Sequence, residues 1–217
     1  MTSVTINGRT VEVEPGTTIL DAARAIGEWI PTLCFDERQD PFGACRICMV
    51  GVEGAPAPLP ACTTQVRDGM VVDTRDATAR RVAGAVVELV LSELPEPPAS
   101  HTELAAVARQ LGVSGTRWPG TVHERDHDDR HPYLALRHEL CISCGRCVRA
   151  CDEVQGTFAL TATGRGFDAN VAAGLDQGFK DSACVSCGAC ADTCPTGAIA
   201  ELSLLDLAPE PLHEVTT

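Results

Sequence analysis

The chain has 217 residues, a net charge of −13, a mean hydropathy of +0.03 and twelve cysteines. That acidic balance argues against nucleic acid as a partner, because phosphate recognition needs a basic footprint. No stretch of 18 apolar residues occurs, so no transmembrane segment is predicted; the richest, Val82 to Leu94, is broken by Gly84, Glu88, Ser92 and Glu93. Five Phe, two Trp and one Tyr leave a modest, mostly aliphatic core, to which bound metal would add folding energy. In a secreted protein twelve cysteines could make six disulfides. Here they fall in CxxC groups, and the opening MTSVTING has neither a basic start nor an apolar run, so a cytoplasmic, thiol-reducing setting is expected.

In chain order, Val4 and Ile6, then Val11 and Val13, alternate with polar residues on either side of Asn7–Gly8. That pattern predicts a hairpin, since a type I′ turn needs positive φ at both central residues. Thr17 or Thr18 is placed to cap a helix from Ile19 to Ile26, with Asp21 in its first turn and Gly27 as its stop. Hairpin, then helix, then further strand is the opening of a β-grasp fold. Cys34, Cys45, Cys48 and Cys62 follow as C-x10-C-x2-C-x13-C. Plant-type [2Fe–2S] ferredoxins use C-x4-C-x2-C and a distant fourth Cys, so the inner pair and the last Cys match and the first gap is longer. Gly43 stands where a loop must wrap closely around a cluster. Four buried structural cysteines are the plainer alternative. Met49, Val50 and Val52 read as a strand leaving the loop, and Met70 to Thr74 as a closing one.

Ala77 to Leu94 has helical periodicity, with Val82, Val86, Leu89, Val90 and Leu94 on one stripe and Pro95, Pro97 and Pro98 beyond it. Ser100 is expected to open a second helix, with Glu103 completing a capping box and Gly112 as the stop. Residues 113–133 read as a polar connection. His123, His127 and His131 recur every fourth residue there, a spacing that could bind metal on a helix. With no apolar face to dock such a helix, a solvated charged loop is expected.

Residues 141–151 read CISCGRCVRAC and residues 184–194 read CVSCGACADTC, each C-x2-C-x2-C-x3-C, the second followed by Pro195. In the bacterial two-cluster pattern the fourth Cys of each run ligates the other run's cluster. One [4Fe–4S] cluster is therefore assigned to Cys141, Cys144, Cys147 and Cys194, and the other to Cys151, Cys184, Cys187 and Cys190. Two zinc ribbons or a set of structural thiols are the plainer alternative, but zinc sites usually pair two CxxC units rather than extend to a third and fourth Cys. Between the runs, Phe158 to Thr163 and a segment near Val171 suggest a hairpin. Gly164 to Ala169 matches G-x-G-x-x-A, but no helix is expected to open after it, as a dinucleotide site would require. Gly197 to Leu207 reads as a short apolar helix and 208–217 as a frayed tail.

The predicted fold class is α+β: residues 1–76 a β-grasp [2Fe–2S] ferredoxin-like domain, 77–133 a helical linker, and 134–207 a bacterial-type two-[4Fe–4S] ferredoxin domain. This order resembles, over roughly residues 3–205, the N-terminal relay part of the large iron–sulfur subunit of NADH dehydrogenase (complex I). It also resembles the opening module of iron-only hydrogenases and the diaphorase small subunit of NAD-reducing nickel–iron hydrogenases. A further likeness is to the start of the alpha subunit of NAD-dependent molybdenum formate dehydrogenases, to whose branch CGRCVRACDEVQGTFALTATGRGF looks most similar. The resemblance implies a non-catalytic electron-relay subunit with one [2Fe–2S] and two [4Fe–4S] clusters. Its implied partners are a flavin-containing NAD diaphorase subunit and a molybdenum, or nickel–iron, catalytic subunit. Many members carry a further cluster in the linker, bound by one histidine and three cysteines. Here no Cys lies between Cys62 and Cys141, so His101 is expected to be an ordinary surface residue. With the chain stopping after the second run, any catalytic metal is expected to sit on another polypeptide. A free polyferredoxin shuttle is the alternative of a different class.

Overall fold

The computed structural model describes residues 1–123, 127–175 and 177–205. Its N-terminal part is a five-stranded mixed sheet in the order β2-β1-β5-β3-β4. The strands are β1 (Thr2–Ile6), β2 (Arg9–Val13), β3 (Met49–Val52), β4 (Leu59–Pro60) and β5 (Met70–Asp73). Ile6 pairs with Arg9, so Asn7 and Gly8 are the whole turn, with φ of 50° and 81° as the expected turn type demands. β5 returns parallel to β1 on its other side, and β3 pairs antiparallel with β5. Helix α1 (Ile19–Ala25) starts at Thr18, whose hydroxyl accepts the Asp21 N–H at 3.1 Å. Ile19, Leu20, Ala22 and Ala23 pack on Val4, Ile6, Val50 and Val72, the inward-facing residues of the sheet. Cys48 and Cys62 belong to this same apolar cluster, so the cysteine loop is anchored in the core.

Helix α2 (Ala77–Ser92) is capped by Asp76, which accepts the Ala79 N–H at 2.7 Å. Its buried line is Ala79, Ala83 and Val87, with Val86, Val90 and Leu94 beside it, while Leu89 is 48% exposed. The expected stripe was centred on the larger residues. At its start the helix lies close to β3: a Cβ on Gly51 would stand 2.7 Å from the Cβ of the capping Asp76. Helix α3 (Glu103–Leu111) is capped by Thr102 and not by Ser100. Thr102 donates through its own N–H and hydroxyl to the Ala99 carbonyl, a tight turn that moves the helix start two residues on. Glu103 thereby becomes the first helical residue and is free to pair elsewhere. Leu104, Val107 and Ala108 of α3 join Leu33, Ile47 and Val87 in a second apolar cluster, against which Ile142 also packs.

The C-terminal part is built from two short antiparallel pairs and two helical turns. β6 (Leu134–Leu136) pairs with β9 (Ile199–Glu201), and β7 (Leu160–Thr163) with β8 (Asn170–Ala173). Helix α4 (Arg146–Arg149) runs into a wide turn over Ala150–Val154, and α5 (Ala189–Asp192) matches it in the second run. The helix expected over 197–207 is a strand, β9, followed by α6 (Leu202–Leu205). The apolar triplet Leu134–Leu136, over sixty residues away, supplies the ladder that converts it. Residues 206 and 207 and the tail 208–217 lie outside the described residues. The Gly164 to Ala169 motif sits in the β7–β8 connection as a single 3-10 turn, with no helix opening from it. Among the described residues no helix is long and apolar enough to cross a membrane.

Candidate metal centres

The first group of thiols sits at the edge of the N-terminal core. Cys48 and Cys62 are 3.3 Å apart, and the Cys45 N–H donates to the Cys34 sulfur at 3.4 Å. Hydrogen bonds from the Cys45 and Cys62 thiols pull Cys34 down to about 2 and push both donors up. The Cys62 thiol likewise lowers Cys48, to about 7. Thiols packed this closely share protons, and a metal that takes thiolates would replace those protons. Gly43 in the preceding loop has φ +68°, and a Cβ there would stand 2.9 Å from Thr63 Cγ2, so both conformation and space call for glycine.

The two later runs are laid out as near copies. Ser143 and Ser186 have φ of 51° and 58°, and Gly145 and Gly188 have φ of 76° and 78° at the starts of α4 and α5. Each serine N–H donates to the preceding cysteine sulfur at 3.4 Å, Ser143 to Cys141 and Ser186 to Cys184. The fourth cysteines match as well. Cys151 accepts the Ala159 N–H at 3.1 Å, and Cys194 the Ile199 N–H at 3.5 Å. The chain crosses over between the copies. Cys141, Cys144, Cys147 and Cys194 line one cavity with Leu136, Val171 and Ile199. Cys151, Cys184, Cys187 and Cys190 line another with Leu134, Leu160 and Phe179. Burial pushes the Cys144 and Cys190 thiols up to about 12 and Cys147 well up, which is the cost of charging a thiol in an aliphatic pocket without a cation. Among the described residues neither cavity is lined by an imidazole or a carboxylate. Among the described residues no three His, Cys, Asp or Glu are arranged to hold a single metal ion. All-thiol lining, an aliphatic wall and amide N–H groups aimed at the sulfurs suit an iron–sulfur cluster. All twelve cysteines are free of disulfides.

The copies differ in their surroundings. Ile142 is packed into the α2–α3 cluster, whereas its counterpart Val185 is 55% exposed; Cys144 is half-buried and Cys187 exposed. The first run also carries two arginines that reach the N-terminal cysteine loop. Arg149 donates to the Cys34 carbonyl at 2.9 Å and to the Asp40 carbonyl, and its guanidinium lies over Phe42. Arg146 is buried against Asp36 and Thr193 and pairs with the more exposed Glu103. Hydrogen bonds from Arg38 hold the Asp36 carboxyl well below the usual carboxylate range. Neither arginine was singled out from sequence. A position-by-position overlay of the two runs would have found them, since Arg146 and Arg149 stand where the second run has Ala189 and Asp192.

The histidine-rich connection corrects one expectation. His131 is only 3% exposed, packed edge-on to Phe179. Its Nδ1 accepts the Tyr133 and Leu134 N–H groups at 3.2 and 3.0 Å, and its Nε2 is 3.2 Å from the Ser186 hydroxyl. A solvated loop was expected because the segment lacks an apolar face, but two backbone donors and one aromatic edge suffice to bury a neutral imidazole. His123 and His127 pair with Glu93 and Glu139 and do not converge with it. His101 is exposed.

Comparison with known proteins agrees with this layout. Residues 1–77 match the 2Fe-2S iron-sulfur cluster binding domain, and residues 131–200 match the ferredoxin-like domain of NADH-quinone oxidoreductase subunit 3. The chain is a relative of iron–sulfur subunits of NAD(P)-linked oxidoreductases. It is 34% identical to a subunit of the NADP-reducing hydrogenase of Solidesulfovibrio fructosivorans, with 93% of this chain aligned. It is 35% identical to a subunit of an NADH-quinone oxidoreductase of Rhizobium meliloti, with 92% aligned. The chain spans only 36% and 24% of the length of these two relatives. Among solved structures, a chain of an NAD+-reducing [NiFe]-hydrogenase in the H2-reduced state superposes with a TM-score of 0.85 at 27% identity, covering 100% of this chain and 90% of that one.

Proposed function

We propose that this chain is a non-catalytic electron-relay subunit of an NAD-dependent formate dehydrogenase, working between a molybdenum catalytic subunit and a flavin-containing NAD diaphorase subunit. The observation that carries the relay is the sorting of twelve cysteines into three groups of four around one short segment. Helix α4 and its following turn bear Cys147 of one group, Cys151 of a second and the Arg149 contact to Cys34 of the third. On this reading Cys34, Cys45, Cys48 and Cys62 hold a [2Fe–2S] cluster in a β-grasp domain, residues 1–76. Cys141, Cys144, Cys147 and Cys194 hold one [4Fe–4S] cluster, and Cys151, Cys184, Cys187 and Cys190 the other, in residues 134–207, with 77–133 as the linker. Such clusters, when bound, store and release single electrons. The protein's part is to supply thiolates, to aim amide dipoles at the sulfurs and to exclude water with Leu136, Val171, Ile199, Leu160 and Phe179. The exposed edge at Cys187 is where a redox partner would approach.

The formate branch rests on the stretch from Cys144 to Phe167. An NAD-coupled nickel–iron hydrogenase is the second reading, favoured by the whole-chain likeness to the hydrogenase chain. Purification of the native complex separates them. Co-purifying molybdenum with formate-dependent NAD+ reduction supports the first. Nickel with hydrogen uptake replaces it with the second, and an isolated monomer with neither points to a free shuttle. A cytoplasmic setting suits twelve cysteines that form no disulfide.

A further inference from the structure

The seam between the N-terminal cysteine loop and the first run holds a buried ion network centred on one side chain. Arg146 is 5% exposed. Its guanidinium donates to both Glu103 carboxylate oxygens, at 2.6 and 3.0 Å, and through Nε to the Thr193 hydroxyl at 2.9 Å. It also reaches the Leu33 carbonyl at 3.5 Å and lies 3.5 Å from the Asp36 carboxylate. Thr193 in turn donates to Asp36 at 2.6 Å. Along the chain Leu33 adjoins Cys34, Thr193 adjoins Cys194, and Arg146 itself precedes Cys147. One cation thus touches the neighbours of cysteines in two different groups. The second run has Ala189 at this place, so the Cys184–Cys190 end has no equivalent.

We propose that Arg146 is a positioning residue that holds the Cys141/Cys144/Cys147/Cys194 site against the Cys34 loop and, by its buried charge, sets the reduction potential of that site. The inference rests on the reading of these cysteines as iron–sulfur ligands. Its physical basis is charge balance. Asp36 is 8% exposed, and Arg146 and the partly exposed Arg38 stand against it. Glu103 is half-exposed and therefore screened by solvent. Reduction adds one negative charge to the site. Removing the guanidinium leaves the Asp36 carboxylate under-compensated in a poorly screened region, which opposes that charge; neutralising Asp36 favours it. The two changes must therefore shift the potential in opposite directions, which loosened packing would not do.

The test uses the full chain, purified anaerobically, with each cluster titrated with dithionite and followed by paramagnetic resonance. Arg146→Gln is expected to lower the reduction equilibrium of the first-run site at least tenfold, about 59 mV for one electron. Asp36→Asn is expected to raise it, and Arg146→Lys to stay close to the parent. The Cys151/Cys184/Cys187/Cys190 site should move by less than a third as much in every variant. Shifts of the same sign in Arg146→Gln and Asp36→Asn, or no shift in iron-replete protein, overturn the proposal. If Arg146→Gln fails to retain iron, the sign of the Asp36→Asn shift decides. A colourless, zinc-loaded parent would instead sink the cluster reading itself, an outcome distinct from unshifted potentials.

Discussion

Replacing Cys194 with Ala gives the sharpest test of the crossed ligation. Cys194 follows α5, whose Cys190 lines the second cavity, yet its own sulfur lines the first with Cys141, Cys144 and Cys147. On the proposed reading, one [2Fe–2S] and two [4Fe–4S] clusters would amount to about ten irons per chain. Loss of one thiolate from a four-thiolate site should remove that cluster alone, leaving about six irons. The single variant cannot say which cluster left, but pairs can. Cys194→Ala with Cys144→Ala removes two sulfurs from the same cavity and should still hold about six irons. Cys194→Ala with Cys187→Ala strikes both cavities and should hold about two. Anaerobic iron and sulfide analysis, normalised to protein by amino-acid analysis, gives the numbers. The reverse pattern, about two irons in the first pair and about six in the second, would refute the crossover and require each run to ligate its own cluster.

Three further outcomes follow from the geometry. Cys187 is exposed and Cys144 half-buried, so a chelator or mild oxidant should strip the Cys151/Cys184/Cys187/Cys190 site first; equal rates of bleaching at the two sites would count against that asymmetry. Gly43→Ala forces a left-handed residue and a 2.9 Å contact with Thr63. It should cost roughly 1–2 kcal/mol and loosen the Cys34–Cys62 loop, seen as a lower unfolding temperature with selective loss of the [2Fe–2S] spectrum. An unchanged spectrum and melting point would show that the loop accepts a Cβ. Burial lowers the His131 pKa, partly opposed by Asp128, and a proton on Nδ1 would break the bonds from Tyr133 and Leu134. The folded pKa is below the unfolded value of about 6.5, so this stability is fully present above that pH and is lost as pH falls below it. The denaturation midpoint should therefore drop as pH falls below about 6.5 in the parent and drop less in His131→Asn; parallel curves would remove His131 from the account.

Much of the N-terminal half was legible locally. Asn7–Gly8 between two alternating strands, and a Thr before an apolar helix face, are short-range signals whose physics lies within a few residues. One error was a local turn; the others arose where a distant partner decided. Ser100 looks as good a cap as Thr102 until the Ala99 turn is formed. The large apolar residues of α2 outline a face, but the buried line runs through Ala79, Ala83 and Val87. Gly197 to Leu207 has helical apolar spacing, and only the Leu134–Leu136 strand turned its start into β9.

The candidate centres divide the same way. Taken alone, the sequence determined that there are two C-x2-C-x2-C-x3-C runs and a looser four-cysteine group, because chelating loops need short fixed spacings. It determined too that the linker has no cysteine. Only the tertiary structure decided that Arg146 and Arg149 face the N-terminal loop, that His131 is buried behind Ser186, and that one near copy is sheltered by Ile142 while the other exposes Cys187. Burial and charge pairing depend on which segments meet across a hundred residues of chain, and no local pattern encodes that.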